Sequence, residues 1–231
     1  MTDAIKVGDF IQIEYTGYVA EDNAVFDTTD QALAKKHQID GRNAKYGPVI
    51  ICIGEHQLIK GVDDALIGKN AGAACTIALE PEQAFGKKNI KMLQLVPTQK
   101  FLKEGIRPMP GLQITVDNML GLVKSVSGGR TMVDFNHPLA GRAIRYEVQV
   151  LKKITAAAEK LTAFVSRTMQ LPEVKVTVTD GTATVEVPFD LPEELVGEYR
   201  KKVMAIIPEI KHLEFKKGAL PPTTKNQDHQ H

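Results

Sequence analysis

The chain has no tryptophan and only two cysteines, Cys52 and Cys75, among its 231 residues. Each cysteine lies inside an apolar run, whereas small oxidised scaffolds are cysteine-dense, so both read as buried, reduced thiols of a cytoplasmic protein. No apolar run approaches the roughly 18 residues that a membrane-spanning helix requires. The N-terminus, Met1-Thr2-Asp3-Ala4, lacks the basic and apolar regions of a secretory leader. Neither charge sign predominates: the formal net charge is +1, which removes a whole-chain case for nucleic acid. Collagen, coiled-coil and low-complexity patterns are absent. What remains is an ordinary globular composition, 43% hydrophobic and 25% charged, on a chain long enough for one large or two to three small domains.

The most informative stretch is Gly54-Glu55-His56-Gln57-Leu58-Ile59-Lys60-Gly61, which follows an apolar strand over 49–53 and runs into Val62-Asp63-Asp64-Ala65-Leu66-Ile67-Gly68. Asp63 and Asp64 suit the positive end of a helix dipole, and Gly68 reads as the helix stop. A helix this short is far below the roughly 12–15 residues of independent stability, so Leu66 and Ile67 are expected to hold it against a sheet. The glycine-bracketed loop then presents Leu58, Ile59 and backbone N–H groups over an apolar hollow, a place to hold something extended and greasy.

Around this stretch, residues 5–19 alternate as a half-buried strand, with Thr16-Gly17 breaking the run. Glu21-Asp22-Asn23 marks a turn before Val25-Phe26-Asp27-Thr28-Thr29. Residues 30–45 form a polar, partly helical excursion. Ala73–Leu79 is a further strand ending at Glu80-Pro81, with the proline outside the ladder, and Ala84-Phe85-Gly86 closes the block. Over 87–134, eight basic side chains face three acidic ones, a surplus of about five positive charges. Short strands at 93–96, 112–116, 120–126 and 131–135, separated by turn residues, read there as a small β-rich insertion in a loop of the first domain. Residues 144–151 form a clean strand. In the remainder, 156–170 and 192–207 carry helical apolar stripes. Asp180-Gly181 joins strands 174–179 and 182–187 as a hairpin, and Leu213-Glu214-Phe215 is a last strand. Residues 219–231 are polar and expected to be disordered.

Tyr15, Val25-Phe26-Asp27, the loop Gly54–Gly61 with Leu58-Ile59, Ala84-Phe85-Gly86 and Tyr146 together resemble an FKBP-type peptidyl-prolyl cis-trans isomerase. The segment between Phe85 and Asn136-His137-Pro138-Leu139-Ala140-Gly141 resembles the insert-in-flap domain of SlyD-like members, and the extra C-terminal unit resembles the long archaeal forms. The resemblance covers residues 1–153 through several ordered motifs and covers 154–231 only by order and length. It implies an α+β protein: a twisted antiparallel sheet around the short helix 62–67 in an isomerase domain of 1–86 and 135–153. An insert-in-flap chaperone domain would occupy 87–134, and a C-terminal α+β domain 154–218.

The family's binding cup maps onto Tyr15, Phe26, Asp27, Val49, Leu58, Ile59, Val62, Phe85 and Tyr146. By that mapping Tyr15, Asp27, Phe85 and Tyr146 serve catalysis, and Phe26, Val49, Leu58, Ile59 and Val62 bind substrate. The N–H of Ile59 corresponds to the family's donor to the carbonyl before proline. Two positions depart from the family: Val62 stands where many members carry an indole, and Phe85 where a tyrosine is common. Altered substrate fit and weaker macrolide binding would follow. In the insert, the resemblance implies that Leu93, Leu95, Val96, Phe101, Met119, Leu120 and Leu122 bind unfolded clients. No cofactor or metal is implied: His212, His229 and His231 lack the dense His/Cys tail of some SlyD-like proteins, and His137 in a proline turn reads as structural.

Each reading has a plainer counterpart in the residues themselves. Phe26, Val49 and Ile59 suit an ordinary core, Tyr15 an ordinary sheet, and Asp27 a turn cap for Thr28-Thr29. The insert's apolar side chains suit a core of its own, and its basic surplus suits nucleic acid, although aromatic interleaving for base stacking is missing. The expected function is X–Pro isomerisation in unfolded or partly folded chains, with chaperone activity through the insert. A peptide-binding holdase with little turnover is the alternative. The amphipathic helices and hairpin of the C-terminal unit suit a dimerisation domain, with a second client surface as the alternative.

Overall fold

A computed structural model describes residues 4–41, 45–171 and 174–218. Its backbone divides into two compact units, one of residues 1–16, 27–76 and 147–231 and one of residues 17–26 and 77–146. In chain order the elements are β1 (Phe10–Val19), β2 (Val25–Thr28), α1 (Gln31–Lys36), β3 (Val49–Cys52), α2 (Lys60–Leu66) and β4 (Ala74–Leu79). Then come β5 (Leu93–Pro97), α3 (Thr98–Lys103), β6 (Gln113–Val116), β7 (Met119–Ser127), β8 (Arg130–Asp134) and β9 (Ile144–Ile154). The chain ends with α4 (Ala157–Thr168), β10 (Lys175–Thr179), β11 (Thr182–Val187), α5 (Glu193–Ile206) and β12 (His212–Lys217). The result is a mixed α+β protein, as the residue patterns imply. The tail beyond 218, with His229 and His231, lies outside the described residues.

The main sheet has the order β2-β1-β9-β4, with β3 also paired to β1. Alternation decides its faces: Ile11 and Ile13 of β1 are buried while Gln12 and Glu14, each following one of them, are not. β3 runs antiparallel to β1 with Phe10 opposite Cys52 and Ile13 opposite Val49. Thr16-Gly17 does not break β1, contrary to the pattern-based expectation. Within the second unit a Cβ on Gly17 would lie 2.6 Å from the Phe26 ring, so glycine is there to admit an aromatic face onto the strand.

Helix α2 buries Val62 and Leu66, one turn apart, and Asp63 beside them. Ile67, expected to help anchor it, is 43% exposed instead. The helix ends at Leu66, and extended backbone at Ile67 turns that side chain away from the buried face.

The C-terminal segment belongs to the first unit and is built as a three-stranded sheet under two helices. Asp180 and Gly181 both adopt positive φ, 49° and 77°, the backbone that a tight two-residue hairpin requires. β12 then pairs parallel to β11, Thr182 opposite His212, because α5 supplies the crossover that a parallel pair needs. Ala183, Val185 and Val187 of β11 meet Leu161, Phe164 and Val165 of α4 and Val203 of α5, and the same core takes in Phe10 and Cys52 of the main sheet.

In the second unit, β5-β8-β7-β6 form a four-stranded antiparallel sheet. One face carries Val96, Ile114, Val123 and Val133, closed by Phe101 and Phe135. Gly121 makes room for that core, since a Cβ there would lie 2.5 Å from Val133 and 2.8 Å from Phe135. The sequence pattern missed α3, whose six residues are too few for a helical period to show. Phe101 is the residue that this helix buries.

Candidate functional site

In the first unit Tyr15 Oη donates a hydrogen bond to Asp27 Oδ2 at 3.1 Å. The two strands that carry them are locked together around the pair. Thr29 Oγ1 accepts from Tyr15 N–H at 2.9 Å, Thr29 N–H donates to Tyr15 O at 3.0 Å, and the Thr16 and Thr28 hydroxyls meet at 2.8 Å. The cap of the following helix is Asp30, whose carboxylate accepts from Ala32 and Leu33 N–H. Asp27 accepts from the Tyr15 hydroxyl and also from the Thr28 N–H, so its carboxylate serves both the tyrosine and the local turn.

Burial sets the electrostatics of this pair. Desolvation, with the Asp27 charge beside it, pushes the Tyr15 hydroxyl well above its ordinary range, so it stays a donor at any physiological pH. Asp27 is raised as well, again by burial, and three groups oppose that rise: the Tyr15 hydroxyl, the Thr28 N–H and the positive charge of Arg167.

The loop after β3 is shaped by two left-handed residues, Gly54 at φ 92° and His56 at φ 50°. Both donate their N–H to Asp63 Oδ2, at 3.0 and 3.1 Å. Asp63 is thus more than a dipole partner for α2: its carboxylate holds the loop closed from below, and burial raises its pKa. Gln57 Oε1 accepts from Cys52 N–H at 2.9 Å. These bonds place Leu58 and Ile59, both half-buried, at the start of α2, with Val62 fully buried and Val49 half-buried. The Ile59 carbonyl accepts from Val62 and Asp63, while its N–H takes no partner among the described hydrogen bonds. An apolar ledge with one unspent backbone donor suits an extended peptide carbonyl.

The second unit gathers aromatics. Phe26 meets Phe85 edge-on, with ring centroids 5.8 Å apart, and Tyr146 edge-on at 5.6 Å, the arrangement that ring quadrupoles favour. Phe85 also stacks flat on His137 at 4.4 Å and 5°. His137 Nδ1 accepts from Leu139 N–H at 3.2 Å, which orients the imidazole over Phe85. The sequence-predicted residues thus fall into two groups: Tyr15, Asp27, Val49, Leu58, Ile59 and Val62 in the first unit, and Phe26, Phe85 and Tyr146 in the second.

Sequence reasoning missed Gln57 and Arg167, and read His137 only as a turn residue. No pattern marks Gln57, an ordinary polar loop residue. His137 follows Asn136 and precedes Pro138 in a turn, and only the fold brings its ring to Phe85. Among the client-binding candidates of the insert, Val96 and Phe101 are buried in its own core, Phe101 only 2% exposed. They are corrected to structural residues, because the alternation of β5 and the packing of α3 turn them inward. Leu93, Leu95, Met119, Leu120 and Leu122 are exposed. Among the described residues no cluster of His, Cys, Asp or Glu could hold a metal ion.

Residues 2–103 match the FKBP-type peptidyl-prolyl cis-trans isomerase family, and residues 94–139 match the FKBP26 IF domain. The chain is 32% identical over 126 residues to the FKBP-type peptidyl-prolyl cis-trans isomerase SlyD of Helicobacter pylori, which takes in 52% of this chain and 67% of the relative. The chain belongs to the FKBP-type peptidyl-prolyl cis-trans isomerases. It is also 29% identical over 150 residues to the short-type peptidyl-prolyl cis-trans isomerase of Methanocaldococcus jannaschii, covering 65% of this chain and 94% of the relative. A 16 kDa FKBP-type isomerase of Escherichia coli is 28% identical over 109 residues, 46% of this chain and 73% of that protein. As in any FKBP-type isomerase, the chemistry to be explained is rotation about an X–Pro bond. No helix among the described residues is long and apolar enough to cross a membrane.

Proposed function

We propose that this FKBP isomerises X–Pro bonds in unfolded chains which it first captures on the inserted sheet. The amide barrier of about 18–20 kcal/mol comes from resonance, and X–Pro isomers exchange over tens of seconds or longer. A catalyst has only to bind the twisted amide better than either planar form. Twisting localises the nitrogen lone pair and weakens the carbonyl dipole, so apolar surroundings penalise the planar ground state more than the transition state. In this reading the ledge of Val49, Leu58, Ile59 and Val62 supplies apolar surroundings in the first unit, and Phe26, Phe85 and Tyr146 are the aromatic candidates of the second. The Ile59 N–H holds its carbonyl, and the Tyr15–Asp27 pair orients the rotating one. No bond is broken and no cofactor is called for.

The capture step rests on one observation, the outer face of the inserted sheet. Leu93 and Leu122 both stand opposite Asp134 in register, and Leu95 and Leu120 lie two residues from them on the same face. Leu95 is 56% and Leu120 61% exposed. A row of leucines beside an edge strand, β5, offers an extended client both apolar contact and unpaired backbone groups. The test compares wild type with the Leu95→Lys/Leu120→Lys double variant. Tetrapeptide turnover is expected to be unchanged, and proline-limited refolding of an unfolded protein to slow about tenfold, the loss of ~1.4 kcal/mol of client binding. Equal rates for both proteins on the protein substrate would sink the capture step. Wild type that suppresses aggregation without accelerating refolding would leave a holdase.

A further inference from the structure

The C-terminal segment does more in this structure than stack on the isomerase core. Arg167, in the last turn of α4, has an ordinary explanation at sequence level, a cation at the negative end of a helix dipole. Its observed partners are elsewhere. Nη2 donates to the Gln57 carbonyl at 2.8 Å, across 110 residues of sequence. Gln57 is the residue before Leu58-Ile59, and its own side chain is already tied to Cys52 N–H at 2.9 Å. The same loop is held a second time from the C-terminal segment, by Lys202 of α5 on Glu55 at 2.6 Å. Helix α4 is itself fixed by Leu161, Phe164 and Val165 in the core shared with Phe10 and Cys52. Arg167 is therefore delivered to the loop by a rigid element rather than by a free surface arm.

We propose that Arg167 is a positioning residue of the isomerase site, supplied by the C-terminal segment, which fixes the Gln57 peptide ahead of the Ile59 donor and balances the charge of the Tyr15–Asp27 pair. A planar guanidinium suits both tasks, since one N–H edge can serve a carbonyl while the delocalised charge acts on a nearby carboxylate. Two independent effects bear on it. The hydrogen bond to Gln57 is geometric, and the charge of Arg167 opposes the burial-driven rise of Asp27 and the rise of Tyr15. The titratable and charged groups described as acting on Asp27 are Tyr15 of β1 and Arg167 of α4, so removing the arginine leaves the carboxylate with only neutral donors.

The inference rests on the isomerase reading of the Tyr15–Asp27 pair, and its test separates the two. Full-length wild type, Arg167→Lys, Arg167→Gln and Arg167→Ala are compared in tetrapeptide turnover against pH and in a carbon-13 NMR titration of the Asp27 carboxyl. Arg167→Ala is expected to lose about tenfold in kcat/KM at neutral pH, within the range that small misplacements cause. Its Asp27 titration, and the acid limb of its activity, move to higher pH. Arg167→Gln keeps a donor for Gln57 but moves the titration equally. Arg167→Lys returns it towards wild type. An unmoved Asp27 titration in both neutral variants, with only a lower melting temperature, would overturn the proposal and leave Arg167 a structural strap. Inactive wild type would remove the isomerase reading, while the titration would still decide whether Arg167 sets the state of Asp27.

Discussion

Two small sheets lie outside the main one, and they differ in what covers them. In the C-terminal segment, β11 carries Ala183, Val185 and Val187 against α4 and α5, and that core continues into Phe10 and Cys52. In the insert, α3 and Phe135 close one face over Val123 and Val133, while the other face leaves Leu93, Leu95, Leu120 and Leu122 in solvent. Both sheets alternate apolar residues, so strand pattern alone does not separate them. The number of helices available to each face does. An uncovered leucine face is unusual for a finished core and suits a surface meant for transient partners, whereas a covered one can carry a rigid element such as α4.

That comparison can be broken at several points. The largest effect is expected at Leu161→Ala, which opens a cavity in the covered core: about 2–5 kcal/mol lost in denaturant unfolding, together with reduced turnover as α4 loosens its hold on Arg167. Normal stability in that variant would mean that the C-terminal sheet is not held as described. The Leu95→Lys/Leu120→Lys double variant probes the uncovered face. Its unfolding free energy is expected to stay within about 0.5 kcal/mol of wild type, since solvated surface positions tolerate such changes. A large loss there would show that the leucine face is buried in the working protein.

The smallest effect concerns Asp27. Burial raises its folded pKa, so the ionised form is less favourable in the folded than in the unfolded chain. This destabilisation is absent below the unfolded pKa and complete above the folded one. Asp27→Asn, which can still accept from Tyr15, is therefore expected to melt slightly higher than wild type at neutral pH. The difference should vanish as pH falls into the ordinary carboxylate range. Its turnover should drop even so. A lower melting temperature at neutral pH would mean that Asp27 is held by stronger partners than those described.

Several features were legible because they depend on neighbouring residues. Asp180-Gly181 demanded a hairpin, Gly54 ended an apolar strand, and the stripes of 156–170 and 192–207 became α4 and α5. The motifs around Tyr15, Phe26-Asp27, Leu58-Ile59 and Phe85 pointed to the family. The misreadings have a common origin. Gly17 looked like a strand break because the Phe26 ring that needs its missing side chain is distant in the pattern. Val96 and Phe101 were assigned to clients by the resemblance, whereas the inward face of β5 and the short α3, too brief for a helical period to show, bury them in the insert's own core.

The sequence by itself determined the family resemblance and its catalytic candidates through ordered motifs, and most of the element order through periodicity and turn residues, since all of these are local properties of the chain. Only tertiary structure decided which apolar faces are covered, that Asp63 closes the loop above α2, and that Arg167 reaches Gln57. Those are encounters between residues up to 110 positions apart, and no local propensity encodes where a folded helix will deliver one guanidinium.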